Sequence, residues 1–98
     1  MIRHLMLVKT KPTVTNEQLE HTKQAFLNAP TIFSGLKSVE WGLNNSPEHK
    51  NMGYEICILM TFADAESRDA FLPHPDHDKL KKIFVPIIED IIVFDYER

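Results

Sequence analysis

The chain has 98 residues, which is the size of a single domain with a modest hydrophobic core. Hydrophobic residues make up 43% of it and charged residues 26%, and the formal net charge of −3 at pH 7 argues against a nucleic-acid partner. No apolar stretch approaches the roughly 20 residues of a membrane span, and Arg3, His4 and Lys9 interrupt the stretch where a signal peptide would be apolar. We therefore expect one domain over residues 1–98, located in the cytoplasm, with no membrane partner.

The first half of the chain predicts a strand, a helix and a second strand. Ile2–Lys9 is rich in branched and apolar residues, as strands are. Thr15 and Gln18 have the spacing of a capping box, which predicts a helix that begins there and ends before Pro30. Leu36–Leu43 alternates between apolar and polar residues, which indicates a second strand.

The second half predicts a strand, two helices and a last strand. These are a third strand over Tyr54–Phe62, a short helix capped by Asp64 and ending at Phe71, a helix from about His77, and a fourth strand over Asp90–Tyr96. The helix from His77 has an apolar stripe formed by Leu80, Ile83, Phe84 and Ile87. Pro86 should kink or end that helix, because proline lacks a backbone N–H and clashes with the preceding turn.

The resulting order is β-α-β-β-α-β, which predicts an α+β, ferredoxin-like fold with a four-stranded antiparallel sheet. Right-handed crossovers place the first and third strands at its centre and both helices on one face. Apolar residues nevertheless occupy both faces of the strands: Leu5 and Leu7 oppose Met6 and Val8 on the first. The strands of an antiparallel sheet with one solvent-exposed face should alternate between apolar and polar residues. Because these strands do not, something must cover the second face. A second copy of the chain is the simplest cover, so we expect a homodimer.

The stretch FLPHPDH (71–77) carries the candidate reactive residues. His77 falls on the inward stripe of the last helix, near its N-terminus, with Asp76 as the expected cap. The helix dipole there favours a neutral imidazole, so His77 is either a general base or a hydrogen-bonded core residue. His4 shares its strand face with apolar residues and, taken alone, fits a core role better. His74, held between two prolines, fits a loop-fixing role with its ring bonded to the backbone.

No cofactor or metal is expected. The positions of His74, Asp76, His77 and Asp78 lack a recognised metal-ligand spacing, and Cys57 is the single cysteine. Cys57 lies in an apolar run, which favours a buried and inert thiol. The sequence also contains no glycine-rich phosphate loop.

Five segments together resemble the stress-responsive A/B barrel family, also called Dabb. They are IRHLMLVKTK, VEWG, GYEICILMTF, FLPHPDH and IIVFDYE, in the family's order over nearly the whole chain. The resemblance implies a ferredoxin-like monomer that dimerises sheet to sheet into an α/β barrel.

The family includes plant stress proteins and a polyketide cyclase that closes its product by an intramolecular aldol condensation. The resemblance implies that His77, the second histidine of the H-P-x-H element, stands where that cyclase has its base. His4 matches a pocket histidine on the first strand. Phe71 stands where the cyclase has an assisting tyrosine, and Ile56 where it has a second pocket histidine.

Two functional interpretations follow. In the first, a small hydrophobic ligand binds in an apolar pocket, where His77 and His4 perform aldol-, isomerase- or lyase-like proton transfer. The expected pocket residues besides these two are Met6, Val8, Phe26, Ile56, Ile58, Phe71, His74 and Phe84. In the second, the fold is a non-catalytic binding or assembly module and the histidines are structural. A cavity beside His77 favours the first interpretation, whereas a filled core with both rings bonded to the backbone favours the second.

Overall fold

Four strands form a single sheet in the computed structural model, which describes residues 1–98. They are β1 (Ile2–Thr10), β2 (Leu36–Leu43), β3 (Ile56–Phe62) and β4 (Ile88–Glu97). The order across the sheet is β2-β3-β1-β4, and every neighbouring pair is antiparallel. The predicted ferredoxin-like arrangement, with β1 and β3 at the centre, is confirmed.

Three helices pack on one face of this sheet: α1 (Asn16–Asn28), α2 (Ala65–Phe71) and α3 (Pro75–Phe84). Short 3₁₀ turns follow α1 and α3, and they contain Pro30 and Pro86. Both prolines therefore end the preceding helix, as expected from their missing N–H. None of the helices has the length and hydropathy that crossing a bilayer would require.

The core lies between the helices and the inward side chains of the two central strands. On β1 these are Ile2, Met6 and Val8, and on β3 they are Ile56, Ile58, Met60 and Phe62. The register pairs Met6 with Ile58 and Val8 with Ile56, so both strands present apolar side chains to the same face. Aromatic rings from the helices close the core, with Phe26 and Phe84 4.8 Å apart in an edge-to-face contact.

The opposite face of the sheet, which we call the outer face, is covered by nothing within the chain. Leu5, Leu7 and Leu59 are half-buried there, and Phe94 on β4 is 61% exposed. Both faces of the sheet are thus apolar, as the strand sequences predicted. An apolar sheet face of this extent calls for a partner.

Helix α1 begins with the predicted capping box. The Gln18 backbone N–H donates to Thr15 Oγ1 at 3.1 Å, and the Thr15 N–H donates to Gln18 Oε1 at 2.8 Å. Two backbone donors that a helix leaves unpaired are satisfied in this way.

We expect Thr15→Ala to lower the free energy of unfolding by about 1 kcal/mol, because it removes the acceptor for the Gln18 N–H. Urea denaturation of both proteins measures the difference. Thr13→Ala is the matched control, since Thr13 is exposed in the preceding turn. Equal stability of the two variants would mean that the capping box contributes nothing.

The predicted starts of three elements were wrong, and β1 and β4 each end one residue later than predicted. Strand β3 begins at Ile56 instead of Tyr54, whose hydroxyl donates to Asp90 from outside the strand. Strand β4 begins earlier than predicted, at Ile88, because a register shift lets that residue pair with Thr10. Helix α3 also begins two residues early, as described next.

The cap of α3 is His74, and the expected Asp76 cap was wrong. The Asp76 backbone N–H donates to His74 Nδ1 at 3.0 Å, while Pro75 occupies the first helical position, where its missing N–H costs nothing. An imidazole nitrogen thus takes the place of the side-chain oxygen that usually caps a helix.

Candidate active site

An apolar cavity of about 320 Å³ opens between the helices and the β1–β4 side of the sheet. Six of the residues expected at the pocket line it: His4, Met6, Phe26, Phe71, His77 and Phe84. Other parts of its wall come from Met60, Leu72, Leu80, Lys81, Ile91 and Val93. Its size and apolar character are those of a small-molecule site with a few polar groups.

His77 enters this cavity from the first turn of α3. Its Nδ1 lies 2.9 Å from the backbone oxygen of Leu72, and its ring packs against Phe71 with the centroids 4.4 Å apart. A carbonyl oxygen only accepts hydrogen bonds, so Nδ1 must carry the proton. In the neutral ring Nε2 is then the basic nitrogen, which is the state that a general base requires.

His4 reaches the cavity from β1 and is 8% exposed. The β1–β4 register places it opposite Asp95, whose Oδ1 lies 2.7 Å from His4 Nδ1. The second oxygen of Asp95 accepts from Arg68 Nη1 at 3.0 Å. Because the carboxylate accepts, His4 Nδ1 donates, and its Nε2 is likewise left as the free nitrogen.

Arg68, on α2, fixes the Asp95 carboxylate that bonds to His4. Its Nε donates to Asp69 at 2.9 Å, and the bonds to Asp69 and Asp95 raise the pKa of the guanidinium. A permanent cation therefore fixes the carboxylate that orients His4. The three side chains form a continuous His4–Asp95–Arg68 network.

His74 does not line the cavity. Its Nδ1 is engaged by the Asp76 N–H, and its ring meets Phe33 edge to face with the centroids 5.0 Å apart. This contact matches the loop-fixing interpretation and gives no support to the expected ligand contact.

Val8, Ile56 and Ile58 also do not line the cavity, although they were expected at the pocket. All three are buried core residues, and Ile56 instead borders the second depression described next. They have the predicted inward orientation, but the cavity lies toward the β4 side of the sheet. Alternation along a strand predicts which side chains point inward, and it does not predict where the packing leaves a space.

A second depression, of about 400 Å³, lies at the end of the sheet between the outer face and the loop that joins β2 to β3. Leu7, Leu43, Met52, Cys57 and Ile92 border it, and no imidazole does. Burial raises the pKa of the Cys57 thiol, with a smaller contribution from Glu40. Cys57 is only half-buried, so the predicted burial was wrong, but the raised pKa makes its thiol a poor nucleophile.

The fold and the cavity define a class of protein: small ferredoxin-like subunits with an uncovered sheet face and an imidazole-lined apolar cavity. The chain belongs to the stress-responsive A/B barrel domain family, Dabb, whose model matches residues 2–98.

Similar proteins come from plants and bacteria. Olivetolic acid cyclase of Cannabis sativa is 27% identical over 95 residues, which are 97% of this chain and 94% of the cyclase. A solved Arabidopsis thaliana structure matches with a TM-score of 0.95 and 26% identity, over 100% of this chain and 95% of that one. A dimeric ferredoxin-like protein from Thermobifida fusca matches with a TM-score of 0.82 and 25% identity, over 99% of this chain and 90% of that one.

Proposed function

We propose that the chain binds a small hydrophobic carbonyl compound in the 320 Å³ cavity and transfers a proton at the carbon next to the carbonyl, with His77 as the base. One observation carries this proposal. His4 and His77 line the same apolar cavity, and each ring uses only its Nδ1 for a hydrogen bond within the protein. Two imidazole Nε2 atoms are thus available to a ligand.

The two histidines take different roles in this proposal. His77 Nε2 accepts the proton from the carbon, and the electron pair of the broken C–H bond moves onto the carbonyl oxygen to form an enolate. His4, when protonated, donates from Nε2 to that oxygen while Asp95 stabilises its positive charge. Aldol reactions, keto–enol isomerisations and the lyase reactions that reverse an aldol addition pass through such an enolate, and relatedness to olivetolic acid cyclase supports this class.

A non-catalytic binding or assembly module is the second candidate. The bond from His77 to the Leu72 carbonyl favours it, because a core histidine is usually satisfied by the backbone in this way. The cavity beside His77 favours the catalytic candidate, as does the bonding of His4 to a carboxylate instead of to the backbone.

Deuterium exchange distinguishes these candidates without knowledge of the natural substrate. The protein is incubated in D₂O with a panel of hydrophobic ketones and β-diketones, and loss of the proton signal next to the carbonyl is followed by NMR. Catalysis is supported if the protein accelerates exchange above the buffer rate. Saturable binding of panel members without any acceleration supports the non-catalytic module.

We expect Phe71→Tyr to raise the exchange rate about fivefold, which corresponds to one added hydrogen bond of about 1 kcal/mol. Phe71 lines the cavity and packs against His77, so a hydroxyl there adds a donor beside the base. Phe33→Tyr is the control, because the Phe33 ring packs against Phe71, with the ring centroids 4.6 Å apart, and does not line the cavity. An unchanged rate in a folded Phe71→Tyr protein would mean that the substrate needs no donor at this position.

We also propose that the functional unit is a homodimer in which the outer faces pack together. The uncovered apolar side chains of β1, β3 and β4 motivate this, and so does the dimeric state of the similar Thermobifida fusca protein. A typical stable interface buries on the order of 1,600 Å² in total, and a four-stranded sheet face supplies much of that area.

A further inference from the structure

The cavity wall contains one permanently charged group. Its polar lining residues are His4, His77 and Lys81, and no carboxylate lines it. Asp95 lies behind His4, where Arg68 offsets its charge. The formal charge of the whole chain is −3, so a positively charged cavity wall does not follow from a generally basic surface.

Lys81 and His77 are one helical turn apart. Both lie on α3 with a spacing of four residues, which places their Cβ atoms about 5–6 Å apart on the same helix face. The Lys81 side chain lines the cavity and is 50% exposed, which is typical of a lysine whose aliphatic stem packs on an apolar wall while its ammonium stays in solvent at the cavity's mouth.

The Lys81 ammonium is only weakly engaged within the protein. Its Nζ lies 3.4 Å from Asp78 Oδ1, and the side chains are 50% and 65% exposed. Exposed pairs of this kind contribute little stability, so an anion at the mouth can replace Asp78 at low cost.

We propose that the ligand of this cavity has an apolar body and a carboxylate at one end. The carboxylate binds Lys81 at the mouth, and the body extends toward Phe26, Met60 and Phe84. The carbon that His77 deprotonates then lies toward the carboxylate end of the ligand, because the two side chains are one turn apart on the same face of α3. This inference rests on the proposed small-molecule function and specifies its substrate class.

Calorimetry with octanoate and 1-octanol tests the proposal, since the two ligands share a chain length and differ in charge. The measured quantity is the ratio of their affinities in the wild type, in Lys81→Gln and in Lys82→Gln. Lys82 is the matched control, because it is an exposed lysine on the same helix that does not line the cavity. The octanoate-to-octanol ratio is expected to fall about two- to fivefold in Lys81→Gln and to stay unchanged in Lys82→Gln.

Three results would overturn the proposal. An unchanged ratio in Lys81→Gln, with both ligands still bound, refutes the carboxylate site and leaves the small-molecule cavity standing. An equal fall in both variants shows a general effect of net charge and no specific site. Failure of both ligands to bind the wild type refutes the carboxylate site together with the proposed hydrophobic-ligand function.

Discussion

His77→Gln is expected to slow proton exchange at the carbon next to the carbonyl by about 10²–10⁴-fold while the fold persists. The glutamine amide can still donate to the Leu72 carbonyl, so it preserves the contact that the His77 ring makes. It has no basic nitrogen, and the proton therefore has no acceptor. The measurement is the NMR exchange rate of a ketone that the wild type turns over.

His21→Gln is the control for this substitution, because His21 is exposed on α1 and lies outside the cavity. Circular dichroism and thermal unfolding of both variants report whether the fold is intact. A folded His77→Gln protein with a near wild-type rate would show that His77 is not the base. An unfolded variant would assign His77 a structural role and favour the binding module.

Leu7→Asp is expected to convert the proposed homodimer into a monomer or to prevent soluble expression. Leu7 lies on central strand β1 of the outer face, between Cys57 on β3 and Ile92 on β4. A carboxylate in the middle of an apolar interface loses its hydration without gaining a partner, which costs several kcal/mol. Light scattering at micromolar concentration measures the change from about twice the chain mass of 11.4 kDa to that mass.

The matched control is Leu27→Asp, which introduces the same charge at an exposed leucine on α1. This variant should remain a dimer, because the helix lies on the opposite side of the sheet. A monomeric wild type at the same concentration would refute the dimer itself, and a dimeric Leu7→Asp protein would place the interface elsewhere.

In the proposed homodimer, side-chain size on the outer face favours one arrangement of the two copies. Strand β4 presents the bulky Ile92 and Phe94 at one edge of the sheet, while Gly42 at the β2 edge has open space above it. A two-fold axis parallel to the strands places β4 of each copy over β2 of the other, so that Ile92 of one copy faces the open space above Gly42 of the other, which lies in the same row of the sheet. An axis across the strands would instead oppose the two β4 edges and leave the β2 edges unfilled.

Much of the fold could be predicted because the features that define its elements depend on residues close together in the sequence. Alternation along β1 assigned His4 and Leu7 to opposite faces, and the Thr15–Gln18 spacing located the start of α1. His77 was correctly placed on the inward side, since helical periodicity from Leu80 and Phe84 extends back to it. Each of these features depends on residues fewer than ten positions apart.

The His4–Asp95–Arg68 network was missed because it depends on contacts that are distant in sequence. His4 and Asp95 are separated by 91 positions, and Arg68 and Asp95 by 27. One indication was available: Asp95 follows Ile91 and Val93 in the inward alternation of β4, where a carboxylate needs a partner. Recognising that partner requires the register between β1 and β4, which spacing alone does not provide.

The two prolines around His74 have a chemical consequence. In an uninterrupted helix from Ala65 to Phe84, the Leu72 carbonyl would accept the backbone N–H four residues later, that of Asp76. Pro73 and Pro75 break the helix, His74 takes the Asp76 N–H, and the Leu72 oxygen is left for the ring of His77. The tautomer of the candidate base is thus selected by a gap in secondary structure, and any sequence change that joined α2 to α3 would remove that selection.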